Sequence, residues 1–285
     1  MEVIAMKIKI LSDSTCDLSP ELLEKYNITV VPLIVMKDDQ EYRDGVTITP
    51  ADIFAHVAAG GSLCSTAALS VGVYQEIFEQ YAKEYDGVIH VNIGSGFSSS
   101  YQNACLAAED IPNVRVVDSQ NLSTGQGLVV LKAWELAQTC TDLDTLHSEL
   151  TAFTEKVEAS FVLDQLKYMV KGGRCSSAAA LGANLLNLKP CIEVKGGKMS
   201  VVKKYRGSYV KCLTSYASDR LANREDIDDQ LIFITHTPVS DEQLEAVKDT
   251  VAQLGNFRET LVTDAGCTVS CHCGPGTLGV LFVRK

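Results

Sequence analysis

Apolar and polar positions along this chain repeat with two periods, one of about two residues and one close to that of a helix. Val88, Ile89, Val91 and Ile93 read as a strand, and Tyr101, Cys105 and Ala108 recur beyond it at helical spacing. Between them lies a loop of two glycines and four serines, Gly94 to Ser100. The same unit opens the chain. Lys7 to Leu11 alternates into a strand, Ser12 to Ser19 is polar, and Pro20 to Tyr26 is helical, with Ser19 as cap and Pro20 at the first helical position. Ile28 to Val35 reads as one buried strand. Thr49-Pro50-Ala51-Asp52 repeats the capping pattern ahead of a helix through Val57. Ser65-Thr66 stands just before another helical run, and Val114 to Val117 is a further strand that ends in a hydroxyl-rich stretch, Asp118 to Gly127. Helices over about Gly127 to Cys140 and Leu143 to Lys156 follow, the second capped by Asp142 or Thr141.

Strands that alternate with helices predict an α/β fold, a mostly parallel sheet with helices on both faces, over residues 1–159. In such sheets ligands sit beyond the carboxyl ends of the strands. The hydroxyl-rich segments at 12–15, 65–66, 95–100 and 119–124 all fall at expected strand exits or helix starts, where they can converge on one rim. From Ser160 the pattern changes to a helix, a Gly172-Gly173-Arg174 turn, a small-residue helix and then a hairpin across Lys195-Gly196-Gly197-Lys198. Helices at Ser208 to Ala222 and Asp241 to Leu254 and strands at Leu231 to Thr235, Phe257 to Thr263 and Gly279 to Val283 complete an α+β domain over 160–285.

A hydrophobic content of 46% over 285 residues supports a substantial core in two domains. A net charge of −11 argues against nucleic acid as partner, since a phosphate backbone is held by a cationic surface. The cluster Lys203, Lys204, Arg206 reads as a solvated hairpin flank. No apolar run reaches the length of a membrane span, and Met1 to Ala5 is too short and too weakly basic for a targeting segment, so a cytoplasmic location is expected. The ten cysteines are scattered, mostly in apolar contexts, without CxxC spacing. They read as reduced core thiols, and Cys267, Cys271, His272 and Cys273 lack the second pair that a closed zinc site needs. No metal is expected.

Several chemistries lack their motif. Gly94-Ser95-Gly96 has no third glycine for a dinucleotide, and no GxxxxGK[ST] or GxSxG occurs. Asp13 and Asp17 read as local caps more readily than as nucleophile or metal ligand. What remains is a Ser-rich loop feeding a helix, an arrangement suited to an anion. His272, ahead of Gly274-Pro275-Gly276, and Arg174, behind two glycines, are each placed to face one. A hydrolase or small-molecule kinase using the Ser-rich loop, or a ligand-free regulatory protein, are the alternative readings.

These stretches, taken in order, resemble the DegV family of bacterial fatty-acid-binding proteins over essentially the full chain. The resemblance rests on Ser12 to Leu18, Ser65-Thr66, Gly96 to Gln102, Asp118-Ser119, Lys171 to Arg174, Lys189-Pro190 and His272 to Gly276 with Gly279. It implies a protein that is not itself an enzyme and needs no cofactor, with one long-chain fatty acid buried between its two domains. It also implies a carboxylate held by Thr66, by Ser98 and the neighbouring amides (hence Phe97 and Ser99), and by His272 and Arg174 as a cation or protonated imidazole. Ser65, Ser100 and Ser119 are secondary candidates. Some members present the bound acid to an ATP-dependent fatty acid kinase for phospholipid synthesis. Where the family usually has Ser-Thr-Ser-Gln-Pro and Leu-Ser-Gly-Thr-Tyr, this chain has Ser65-Thr66-Ala67-Ala68-Leu69 and Phe97-Ser98-Ser99-Ser100-Tyr101, which keeps both headgroup hydroxyls. A tail of ~16 carbons offers about 11 kcal/mol of gross transfer free energy before association costs.

Overall fold

In the computed structural model, which describes residues 5–180 and 188–285, the first half of the chain repeats strand and helix as its pattern predicts. β1 (Ile8–Asp13) passes through a tight 3-10 turn (Ser14–Cys16) into α1 (Pro20–Lys25) and β2 (Thr29–Val31). β3 (Ile34–Lys37), β4 (Gln40–Arg43), α2 (Pro50–Ala58), β5 (Ser65–Ala67), α3 (Val71–Ala82) and β6 (Gly87–Asn92) follow. α4 (Ser100–Ala108), β7 (Val114–Asp118), α5 (Thr124–Ala137) and α6 (Leu143–Thr154) end this half. The second half runs β8 (Val157–Val162), α7 (Leu166–Gly172), α8 (Ser176–Ala179), β9 (Leu188–Lys195), β10 (Lys198–Arg206), α9 (Tyr209–Leu221) and β11 (Ile227–His236). α10 (Asp241–Leu254), β12 (Glu259–Asp264), α11 (Cys267–Cys273) and β13 (Leu278–Arg284) close it.

Burial explains how these elements layer. β2, β1, β6 and β7 form a parallel sheet in that order, and β6 is buried at every residue, as a central strand covered on both faces must be. Leu11, Val88 and Val116 face Tyr74 and Phe78 of α3 and Ala104 of α4. Their neighbours Ile10, Ile89 and Val117 face the other way, with Val129 and Ala133 of α5 and Leu146 of α6. The second sheet, β10-β9-β8-β13-β11-β12, is antiparallel except for β11 with β12. One of its faces packs on Leu213, Tyr216 and Val247 of α9 and α10, while Ala159, Phe161 and Leu281 on the other face join the core around α5. α5 therefore lies between two sheets. Its residues Thr124 to Val130 are all buried, which is why no single apolar stripe marks it in the sequence.

The structure departs from the sequence reading where a local signal was used for something else. The expected strand Ile28 to Val35 is two strands: Pro32, which has no N–H to give a ladder, ends β2, and the chain re-enters as β3 in a separate antiparallel sheet, β4-β3-β5. Ser65-Thr66 is not at a helix start but in β5, with Thr66 opposite Val35; α3 begins at Val71 and is capped by Ser70. α5 starts at Thr124 rather than Gly127. The Ser123 hydroxyl that would have marked its cap donates instead to Asp17 Oδ2 at 2.6 Å. The break between 159 and 160 falls inside β8, whose first residue, Val157, already pairs with β13. The hairpin at 195–198 is present, with Gly196 and Gly197 both at positive φ as a tight two-residue turn requires. The expected small-residue helix is described only at Ser176–Ala179, its continuation over 181–187 lying outside the described residues.

Candidate functional site

A cavity of about 280 Å³ opens where the parallel sheet, the small β4-β3-β5 sheet, α7, β10 and α11 meet. Thr66, Phe97, Ser98, Ser99, Arg174 and His272 all line it. Leu33, Ile93, Leu122, Met169, Met199 and Val269 line it with apolar surface. Past Leu122, Val269 and Cys273 lies a narrower pocket of about 30 Å³ between β8, β13 and α11, walled by Phe161, Val194 and Leu281. One end is polar, and the rest is mostly greasy.

Each polar group reaches the cavity by a different device. Thr66 is held by the register of β5 on β3, whose alternation turns its side chain to the cavity while Ser65, its neighbour, is exposed on the other side. His272 lies in the last turn of α11, not in the Gly-Pro-Gly turn that follows. Its Nε2 is 2.8 Å from Thr66 Oγ1. Its Nδ1 is buried against Gly172, where a Cβ would come within 2.3 Å, and has no hydrogen-bond partner. A buried lone pair without a donor is tolerated better than a buried N–H without an acceptor. With the proton on Nε2 the ring donates to Thr66, and the Thr66 O–H is then left to donate in turn. Burial, reinforced by Arg174 nearby, holds the imidazole down at about 4, so His272 is neutral at pH 7 and the cation is Arg174 alone of the two. Arg174 is exposed at the rim, donating from Nη1 to Gly172 O at 2.6 Å and from Nε to Phe97 O at 3.3 Å.

The Ser-rich loop is more self-satisfied than its composition suggests. Ser98 Oγ accepts from Ser100 N–H at 3.2 Å and lies 2.9 Å from Ser100 Oγ, and Phe97 N–H donates to Gly94 O at 2.9 Å. Of the amides from 97 to 100, those of Ser98 and Ser99 are the ones without a partner among the described residues. Ser100 is wholly buried behind Ser98. Ser119 does not reach the cavity: its hydroxyl donates to Asn121 O at 3.1 Å and accepts from Asn121 N–H, bracing the turn into α5.

Asp13 and Asp17 are structural. Asp13 is fully buried and accepts from the N–H groups of Thr15 and Ile93 and from Gln126 and Asn92, tying β1 to β6 and α5. Asp17 accepts from Ser123 and from Gly266 N–H. Cys267, Cys271 and Cys273 are buried free thiols pushed up by burial, and no group of three or more His, Cys, Asp or Glu placed for a metal occurs among the described residues. No helix among them is long and apolar enough to cross a membrane.

Sequence reasoning missed the cavity's apolar wall and α11 itself. Met169 and Met199 are single methionines on elements of ordinary pattern, and their convergence is a product of topology. Thr268, four residues before His272 on α11 and so on the same helix face, also lines the cavity. A Thr four positions before a His was the one available signal for it.

A parallel α/β sheet joined across a buried helix to a mixed sheet, with a half-polar pocket at the seam, is the architecture of a small-molecule-binding protein. The chain belongs to the DegV family, described as uncharacterised proteins, whose family model matches residues 7–285. A DegV domain-containing protein of Clostridium perfringens is 31% identical over 281 residues, covering 98% of this chain and 99% of its own. Among solved structures, a fatty-acid-binding DegV family protein from Thermus thermophilus superposes with a TM-score of 0.85 at 30% identity, covering 98% and 100% of the two chains. DegV from Bacillus subtilis, a fatty acid binding protein, gives 0.81 at 26%, covering 99% and 100%. A stearic acid-binding protein from Eubacterium ventriosum gives 0.83 at 27%, covering 98% of each. The two-domain DegV-like α/β fold is thus common to this chain and these solved structures.

Proposed function

We propose that this protein binds a single long-chain fatty acid, its carboxylate at the polar end of the cavity and its tail along the apolar wall toward the pocket behind Leu122, Val269 and Cys273. The observation that carries this reading is the pairing of Thr66 with His272 at the end of the cavity that also holds Ser98, Ser99 and Arg174, with Leu, Ile, Met and Val along the rest of its wall. Thr66 O–H, Ser98 Oγ and the N–H groups of Ser98 and Ser99 supply donors for two carboxylate oxygens, and Arg174 supplies the charge. An anion beside His272 favours the imidazolium, so binding draws the His272 value up from about 4. The fatty-acid ligands of the Thermus thermophilus, Bacillus subtilis and Eubacterium ventriosum proteins support the ligand class. A division into two domains belongs to the same reading, with the boundary expected at 159/160 moved ahead of β8 at Val157 and with both halves supplying headgroup and wall residues.

The protein acts as a carrier or presenting subunit in the cytoplasm, and the chemistry belongs to a separate ATP-dependent fatty acid kinase that forms an acyl phosphate. Arg174, exposed at the rim, is the cation placed to meet the added phosphate. Extraction of the purified protein, with mass identification of what is released, tests the first part. One fatty acid per chain is expected, and protein that yields none and takes up no oleate after delipidation overturns the reading. Turnover of the oleate complex by a fatty acid kinase tests the second part, and full turnover of Arg174→Ala removes that residue's role.

A further inference from the structure

The helix that carries His272 has little reason to form by itself. Its sequence, Cys267 to Cys273, is seven residues of Cys, Thr, Val, Ser and His, all weak helix formers, and is far shorter than a helix that holds itself in water. Its start is held from outside. Gly266 N–H donates to Asp17 Oδ1 at 2.9 Å, Cys267 N–H to Asp44 Oδ1 at 2.8 Å and Thr268 N–H to Asp44 Oδ2 at 3.0 Å. Both carboxylates come from the first 44 residues of the chain, more than 220 positions away.

Asp44 is itself fixed in place. It is buried, Ser14 Oγ donates to its Oδ2 at 2.9 Å, and its own N–H donates to Leu33 O at 2.9 Å. It follows directly on β4, and Arg43 of β4 lies across Ile34 of β3 from Ala67 of β5. Two strand spacings, roughly 10 Å, therefore separate Asp44 from the strand that bears Thr66. From Cys267 to His272 the helix rises roughly 7.5 Å along its axis. The small sheet and the short helix are spans of similar length, joined at one end by Asp44 and at the other by Thr66 and His272.

We propose that Asp44 is a positioning residue for the ligand carboxylate, holding α11 by both oxygens so that His272 Nε2 meets Thr66 and the Thr66 O–H is turned into the cavity. The binding consequence rests on the proposed function; the effect on His272 does not. Asn at this position keeps one acceptor but sets an amide N–H₂ against Cys267 N–H or Thr268 N–H, so one of the two grips becomes a repulsion between donors.

The test uses delipidated full-length protein titrated with oleate as wild type, Asp44→Asn, His272→Ala and the double variant, together with NMR titration of the His272 ring in the ligand-free wild type and Asp44→Asn. Binding about tenfold weaker in Asp44→Asn is expected, the worth of one headgroup hydrogen bond, with less than about a twofold further loss when the same change is made in the His272→Ala background. The His272 titration is expected to move up from about 4 toward the ordinary imidazole value in Asp44→Asn as the ring loses its seat. Wild-type affinity in Asp44→Asn overturns the proposal, as does an equal loss in both backgrounds, which marks a general structural role. Wild-type protein that binds no oleate overturns the proposed function instead, and the ring titration then decides the positioning role alone, an unmoved His272 refuting it. If Asp44→Asn does not fold by circular dichroism, Asp44→Ser, which keeps an acceptor without the amide, takes its place in every arm.

Discussion

Replacing Thr66 with Val removes one hydroxyl and keeps the shape and β-propensity of the side chain, so β5 should keep its place on β3. The hydroxyl has two duties. In the empty protein it is the partner of His272 Nε2 at 2.8 Å, and because Nδ1 already has none, its loss leaves the buried imidazole with no hydrogen bond at all. An N–H orphaned in this way costs about 1–3 kcal/mol, and at roughly 2–4 °C per kcal/mol for a chain of this size the melting temperature should fall by several degrees. In the proposed complex the same hydroxyl is a carboxylate donor, so binding should weaken by about 1–3 kcal/mol, on the order of five- to 150-fold. Thr66→Ser keeps the oxygen and should recover most of both losses. Calorimetric titration with oleate and thermal unfolding of the delipidated protein measure the two effects separately. An affinity for oleate within twofold of wild type in Thr66→Val would refute the headgroup assignment, whatever happens to the melting temperature.

Ser98→Ala should weaken oleate binding about tenfold, whereas Ser119→Ala, whose hydroxyl only braces Asn121, should leave the affinity unchanged and cost about 1 kcal/mol of stability; titrating both separates the cavity wall from the loop behind it. His90 is wholly buried against Tyr74 and Phe78 with neither ring nitrogen paired, and burial pulls it down to about 3 from the ordinary 6.5. A histidine lowered in the folded state gives stability that is present above 6.5 and lost as pH falls toward 3, at up to about 1.4 kcal/mol per pH unit. Unfolding of His90→Leu followed across that window should lose less stability than wild type does, and parallel curves would remove His90 as the cause. Asp17 runs the other way: burial, outweighing its bonds to Ser123 and Gly266, raises it to about 8 from 3.8. Its contribution is present at low pH and lost as pH rises through about 8. Asn at 17 still accepts from Gly266 N–H and can donate to Ser123, so Asp17→Asn should lose less melting temperature than wild type between about pH 5 and pH 9, and an equal fall in both contradicts this.

Elements whose start, face and end are written in neighbouring residues were legible from the sequence. α1 with Ser19 and Pro20, α10 with its Ser240 capping box, and the Gly196-Gly197 hairpin stand where local chemistry puts them. Local chemistry misleads where a residue that looks local works at long range. Ser123 gives its hydroxyl to Asp17 instead of capping α5, and Pro32 hands the chain from one sheet to another. α11 is held at its start by Asp17 and Asp44, more than 220 positions away, and leaves no periodic trace. For the cavity, the sequence showed the hydroxyls at 66 and 98, but not that Thr66 is set by strand register and not by a helix terminus, nor that Ser119 turns away. The apolar wall could not be read, because Leu33, Met169 and Met199 become neighbours only through the packing of separate elements.

The hydrogen bond between Thr66 and His272 spans 206 positions of chain. At translation speeds of about 5–20 residues per second, Thr66 emerges roughly 10–40 s before its partner has been made. Once the chain has passed Leu122, Leu33, Ile93, Phe97 and Leu122 are all made, while Val269 and His272, which line the same cavity, still have to follow. During synthesis the apolar wall is therefore present for a time without α11, the element that completes it.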